Sequence, residues 1–117
     1  MTFEPYDVVV VPFPFTDRLA SKRRPALVLS NGDSLNGPSG HVVLAMITSA
    51  KNSPWPLDAP VSNLKTAGLT SDSVVRMKLF TLDSRMILRR AGALGRPDHR
   101  RAASALRQLF QTKQDAV

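Results

Sequence analysis

The chain contains no cysteine, which excludes a disulfide, a thiolate zinc site and a cysteine nucleophile, and fits a reducing cytoplasm. It has only two histidines, so no metal centre is expected, and no other cofactor either. No apolar run approaches the roughly 20 residues that span a bilayer, and the N-terminus lacks a basic segment leading into an apolar core. The expectation is a soluble, cytoplasmic protein with no membrane association. Paired carboxylates, a Ser/His/Asp set, a glycine-rich phosphate loop and metal-ligand spacing are all missing. There is no internal repeat and no low-complexity tail. At 117 residues the chain is the size of one domain, spanning 1–117, and can bury a core without covalent staples.

What is present is positive charge. Sixteen Lys and Arg face nine Asp and Glu, a net charge of +7. Residues 1–58 hold five of each sign, so the whole excess arises in the second half, where eleven basic residues meet four acidic ones. Such a field favours polyanionic partners, nucleic acid first and an acidic protein second. A solvated basic face is the bland alternative.

Tyr6 to Phe13 is a dense β-branched run, too short for a buried helix and closed by Pro12 and Pro14, and it reads as a central strand. The polar loop 16–24 is long for a hairpin connection, which suggests a functional loop. Pro25 can open a strand, since its missing N–H is tolerated there, so the second strand is expected over 25–30 with Arg24 as the last loop residue. Residues 31–40 are rich in turn formers and read as a surface connection. A third strand runs from His41 to Thr48, a loop carries Trp55 between two prolines, and a short fourth strand covers Leu57 to Val61. Residues 63–72 read as a turn region. Ser73 to Lys78 suggests a strand with Arg76 and Lys78 on one face, followed by a tight bend and one more strand before Gly92.

Pro97 sits where a first helical turn begins, and Asp98 adds favourable negative charge there. His99, Ala102, Ala103, Leu106, Leu109 and Phe110 recur at helical spacing, predicting an amphipathic helix over 97–112 with Arg100, Arg101, Arg107 and Gln108 on its other face. The fold class is therefore mainly β with a C-terminal helix (α+β), a small, strongly bent antiparallel sheet or open barrel.

Arg24 and Thr48 each form the polar end of an apolar strand, and adjacent antiparallel strands bring them to one edge. A guanidinium holds two phosphate oxygens at once, while a hydroxyl donates to a third group or to the leaving oxygen. RNA carries its own nucleophile in the 2′-OH. A protein need only align the attack, drain charge from the phosphate and see the departing 5′-oxygen protonated. Taken singly, Arg24 reads as a solvated loop cation and Thr48 as a strand-end residue. His41 reads as structural or exposed, His99 as packed on the helix face, and Trp55 as a shield at a core edge rather than a base-stacking platform.

The order of motifs carries more. Asp7-Val8-Val9-Val10-Val11-Pro12-Phe13-Pro14-Phe15-Thr16-Asp17, then Lys22-Arg23-Arg24-Pro25-Ala26-Leu27-Val28-Leu29-Ser30, then Ile47-Thr48-Ser49, then Ser73-Val74-Val75-Arg76 and Lys78-Leu79-Phe80-Thr81-Leu82, resembles the PemK/MazF family of type II toxin–antitoxin toxins. The match runs from about Tyr6 to the terminal helix, and the Arg24-Pro25-Ala26 phrase is its most specific part. The resemblance implies an SH3-like barrel, a homodimer, and sequence-specific, metal-independent cleavage of single-stranded RNA to 2′,3′-cyclic phosphate and 5′-hydroxyl ends. It implies catalytic roles for Arg24 and Thr48. Phe15, Thr16, Lys22 and Arg23 become RNA contacts, Lys51 and Asn52 follow for the loop after Thr48, and Arg76 and Lys78 complete the wall. It also implies an antitoxin with an acidic, partly disordered segment that lies across the basic groove.

Some relatives place an acidic residue just after the Val-Val-Arg segment, whereas this chain has Arg76-Met77-Lys78. Arginine is a poor base because its pKa lies above roughly 12. Arg24 is therefore assigned to transition-state stabilisation, and the group that deprotonates the 2′-OH stays open. Two alternatives remain: a toxin similar to CcdB, which shares the barrel, binds DNA gyrase and cleaves nothing, and a family member that binds RNA or its antitoxin without cleavage. The CcdB-like reading is weakened because residues 111–117 lack an aromatic anchor.

Overall fold

The computed structural model describes residues 2–13 and 22–111. Six strands are present among them: β1 (Asp7–Phe13), β2 (Lys22–Val28), β3 (His41–Ser49), β4 (Ala59–Pro60), β5 (Ser73–Asp83) and β6 (Arg89–Ala93). They form one antiparallel sheet in the order β4-β5-β3-β2-β1-β6, curled into a half-barrel. The helices are the single turns α1 (Gly37–Ser39) and α2 (Leu64–Ala67), and the longer α3 (Arg96–Leu109). This is the expected bent sheet with a C-terminal helix.

The strands read as continuous apolar runs because both faces of the sheet are buried. Val8, Leu27, Ala45 and Ile47 point to one face, which packs against Ala67 of α2 and Ala102 and Ala105 of α3. Val9, Val11, Ala26, Val28, Val42 and Leu44 point to the other and meet Phe3, with Phe80, Leu82 and Ile87 alongside. The alternation is the period of two that pleating dictates. Leu27, Leu44 and Ile47 are among the fully buried side chains, each contributing about 1.5–3 kcal/mol through removal from water.

Several boundaries differ from expectation, each for a local reason. β2 begins at Lys22, not after Pro25, because Lys22, Arg23 and Arg24 pair with Phe13, Pro12 and Val11 of β1. Pairing of β2 with β3 covers only Ala26 to Val28. Pro25 has no N–H with which to extend that ladder, so the two strands part beside it. β5 runs on past Lys78 to Asp83 as one strand of eleven residues, and the expected tight bend is the 3-10 turn Ser84–Met86 before β6. Within β5 lies a bulge, since Ala45 pairs with Leu79 and Met46 with Arg76, leaving Met77 and Lys78 as extra residues. β6 runs through Gly92, where a Cβ would sit 2.3 Å from the Thr66 carbonyl oxygen; the missing side chain lets the backbone of α2 approach.

The surface connection 31–40 contains a turn of π-helix, Gly32–Asn36, followed by α1. Asn36 is buried and donates to the carbonyls of Phe3 (2.7 Å) and Ser30 (2.9 Å).

α3 starts at Arg96 and ends at Leu109. Its buried stripe is Ala102 and Ala105, while Leu109 and Phe110, expected on the apolar face, are 39% and 63% exposed. His99 stacks on Tyr6 with ring centroids 3.6 Å apart. Asp98 does more than face the helix terminus. Its carboxylate is buried and accepts from the Ser62 backbone N–H (2.8 Å), the Ser62 hydroxyl (2.7 Å), the Asn63 backbone N–H (2.9 Å) and Arg101. Burial alone raises its pKa, but these donors outweigh that and hold it below the usual carboxylate value. Asp98 thereby ties the segment before α2 to α3.

Candidate functional site

The parting of β2 and β3 beside Pro25 sets up the site. Extending their register by two places, from Ala26 opposite Met46, sets Arg24 opposite Thr48, just beyond the last paired residues. Three clefts meet at Arg24. One of about 230 Å³ is lined by Arg24, Met46, Ile47, Thr48, Asn52, Arg76 and Lys78. A second of about 200 Å³ shares Arg24 and Thr48 and adds Ser49, Thr70, Ser71 and Ser73. The third, about 500 Å³, is the largest; it borders Arg23, Arg24 and Arg89 but not Thr48.

Arg24 is half-buried, and its guanidinium has no ion-pair or hydrogen-bond partner among the described residues. An arginine in that condition presents its donors to whatever enters the cleft. Thr48 is also half-buried. Its Oγ1 accepts a hydrogen bond of 2.6 Å from Asn52 Nδ2.

Arg76 lines the same cleft but is 8% exposed, with its Nε and Nη2 engaged. Its Nε donates to Asp58 Oδ1 (3.1 Å), and its Nη2 donates to Asp58 Oδ2 (2.9 Å) and to the Ser53 carbonyl (2.7 Å). Burial pushes the Asp58 carboxyl upward, yet the Arg76 hydrogen bonds, the Trp55 backbone N–H and the Arg76 charge bring it below its ordinary value. The Asp58 hydrogen bonds raise the Arg76 guanidinium further above its already high value. The pair clamps the loop between β3 and β4.

Lys78 is exposed, and its ammonium lies 4.3 Å from the centre of the Trp55 ring; the Arg76 guanidinium lies 5.9 Å from the same ring. These are cation–π distances. Trp55 itself is 43% exposed, so it is a platform under two cations at the edge of the cleft.

The structure thus brings Arg24, Thr48, Asn52, Arg76 and Lys78 together. Arg23 borders the large cleft, whereas Lys22 and Lys51 are exposed and border none of the three. Phe15 and Thr16 lie outside the described residues. Sequence reasoning read Trp55 as a shield at a core edge, whereas it is exposed under two cations, and it passed over Asp58. The signal for Asp58 was a carboxylate in a loop facing a strand cation, a long-range pairing that spacing alone does not reveal. No His, Cys, Asp or Glu cluster able to hold a metal ion exists among the described residues, and no helix among them is long and apolar enough to cross a membrane.

With this geometry in hand, comparison with known proteins is specific. Residues 4–110 match the family model for the PemK-like, MazF-like toxin of type II toxin–antitoxin systems. No curated sequence matches the chain. Among solved structures, a MazE–MazF crystal structure from Deinococcus radiodurans is similar with a TM-score of 0.75 at 21% identity, over 97% of this chain and 100% of that one. The Mycobacterium tuberculosis toxin MazF-mt6 gives 0.69 at 22% identity, over 92% and 99%. An endoribonuclease in complex with its cognate antitoxin, from a mycobacterial species, gives 0.71 at 15% identity, over 97% and 98%.

Proposed function

The chain belongs to the PemK-like, MazF-like toxins of type II toxin–antitoxin systems, and from that premise we propose that it is a metal-independent endoribonuclease cutting single-stranded RNA at specific sequences. The observation that carries this reading is the half-buried Arg24 guanidinium, unpartnered among the described residues, set across a cleft from the Thr48 hydroxyl. Charge develops on the phosphate oxygens as the 2′-oxygen attacks. Arg24 holds two of those oxygens, and Thr48 donates to the phosphate from the facing strand. The P–O2′ bond forms and the P–O5′ bond breaks. The 2′-OH loses its proton and the departing 5′-oxygen gains one, leaving a 2′,3′-cyclic phosphate and a 5′-hydroxyl.

Among the described residues the cleft around Thr48 is lined by neither histidine nor carboxylate, and the nearby Asp58 carboxylate is occupied by Arg76. In this reading Arg24 and Thr48 contribute alignment and charge. Lys78 lies within reach of the nucleotide flanking the scissile phosphate. Lys22, Arg23 and Lys51, with Phe15 and Thr16, steer the rest of the strand. Single-stranded RNA suits a site built from an exposed aromatic and separated cations, because its bases can be splayed out. A homodimer, and an antitoxin whose acidic, partly disordered segment covers the basic clefts, complete the proposal. The solved MazE–MazF and endoribonuclease–antitoxin complexes of similar fold support the antitoxin partner.

Purified protein incubated with RNA, with and without EDTA, followed by sequencing of the product ends, tests the chemistry. Cleavage unaffected by EDTA and lost in a folded Arg24→Ala or Thr48→Ala variant is the expected result. Full activity in folded Arg24→Ala overturns the mechanism. The non-enzymatic, gyrase-binding alternative gains one feature from the structure, the exposed Phe110 just past α3. It predicts no cleavage by the wild type and binding to gyrase that Phe110→Ala weakens.

A further inference from the structure

Asn52 stands four residues after Thr48 and reaches back to it. The turn that returns it is held at three points. Ala50 N–H donates to the Asp72 carbonyl (3.0 Å), Asn52 N–H donates to the Ser49 carbonyl (3.1 Å), and Arg76 holds the adjacent Ser53 carbonyl at 2.7 Å. The buried Arg76–Asp58 pair therefore fixes the backbone next to Asn52. The amide nitrogen it presents to Thr48 can only donate, so Thr48 Oγ1 is the acceptor at 2.6 Å.

A threonine hydroxyl has one proton and two acceptor sites. Left alone in a polar cleft it turns to suit its neighbours. With one acceptor site filled by Asn52, its proton is kept off the side facing the loop and left to the remaining positions, which open on the cleft that Arg24 also borders. Resting on the endoribonuclease reading above, we propose that Asn52 is a positioning residue that commits the Thr48 hydroxyl to donating to a non-bridging oxygen of the scissile phosphate. Thr48 is then ready before the RNA arrives, and no hydroxyl reorientation is needed as charge builds on the phosphate. Asn52 acts through Thr48 rather than on the phosphate itself.

Two variants separate this from a role in loop packing. Asn52→Ala leaves the Thr48 proton undirected. Asn52→Asp offers it a carboxylate to donate to and so withdraws it from the phosphate. Each is assayed on an RNA oligonucleotide and on its two isomers in which one or the other non-bridging oxygen of the scissile phosphate is sulfur, a poorer hydrogen-bond acceptor.

The expected result is kcat about threefold to tenfold lower for Asn52→Ala with KM within about twofold, and roughly 100-fold lower for Asn52→Asp. For Asn52→Asp the rate penalty of one sulfur isomer disappears, while the other keeps its wild-type penalty. Electrostatic repulsion by the new carboxylate cannot produce that one-sided change. Because Asn52 is exposed, both variants melt within about 2 °C of the wild type. Asn52→Ala with unchanged kcat, or Asn52→Asp retaining both sulfur penalties, overturns the proposal. Absence of cleavage by the wild type overturns instead the functional reading beneath it.

Discussion

Replacing Asp58 by alanine, Arg76 by methionine, and both together measures what the clamp beneath the site contributes. The two side chains are 17% and 10% exposed and meet through two hydrogen bonds of 2.9 and 3.1 Å. Removing one partner of a fully buried ion pair costs about 3–5 kcal/mol, chiefly because the other charge is left without compensation. Some water reaches this pair, which lowers the expected figure to about 2–3 kcal/mol for either single variant. For a chain of this size that is a fall in Tm of roughly 8–12 °C. The double variant leaves no orphaned charge, so its loss is smaller than the sum of the singles by about 1–2 kcal/mol.

Thermal unfolding followed by far-UV circular dichroism gives all three values. The pH dependence gives a second check on the same pair. The folded Asp58 carboxyl lies below its unfolded value, so its contribution is complete above about pH 4 and is lost as pH falls through the folded pKa. The Asp58→Ala deficit accordingly shrinks in acid. Single variants within about 0.5 kcal/mol of wild type, or a double variant equal to the sum of the singles, refute the clamp. In that case Arg76 is a cation available to RNA, as its position on the strand first suggested.

The remaining predictions concern separate parts of the molecule. Lys78→Ala is expected to weaken RNA binding and to lower the slope of log affinity against log salt by about 0.7, the share of one phosphate contact on a single strand; an unchanged slope places Lys78 off the RNA path. Asp98→Ala leaves two backbone N–H groups and a hydroxyl without their acceptor and is expected to lower stability by about 3 kcal/mol at pH 7 in a denaturant melt. Since the Asp98 carboxyl is held below its ordinary value, that deficit is present above about pH 4 and fades as pH falls through the folded pKa. Gly92→Ala sets a methyl group 2.3 Å from the Thr66 carbonyl oxygen and is expected to cost about 1–3 kcal/mol by the same assay; no loss means that α2 moves freely against β6.

How legible the molecule was depends on whether a feature is local. The strands around Val8 to Val11, Ala26 to Val28 and Val42 to Ile47 are written as apolar runs because both sheet faces are covered, and such runs need no partner to be recognised. The juxtaposition of Arg24 and Thr48 was legible because each is the polar residue at the edge of an apolar run. The bulge at Met77 and Lys78 was not, since a bulge is a property of two paired strands and a single strand gives no sign of it. The Asp58–Arg76 clamp and the Asp98 clasp join residues 18 and 35 or more positions apart. Leu109 and Phe110 fit a helical period yet face solvent, because the underlying core ends at Ala105 and Leu106 and periodicity does not say how far a neighbouring element extends.

The two arginines of the cleft show why residue type alone could not assign the site. Arg24 and Arg76 have the same five donors and line the same space. Arg76 arrives on a central strand facing a loop that supplies a carboxylate and a carbonyl, and it is closed off by both. Arg24 arrives where a proline ends the ladder, so the β2–β3 pairing stops short of it and its guanidinium, without a partner among the described residues, borders the cleft. The cation that completes the fold and the cation proposed to meet a ligand are thus distinguished by what lies opposite them. Pro25 does not open its strand; it ends the β2–β3 pairing, and that break leaves the cleft that Arg24 and Thr48 line from facing strands, where under the proposed function a phosphate enters.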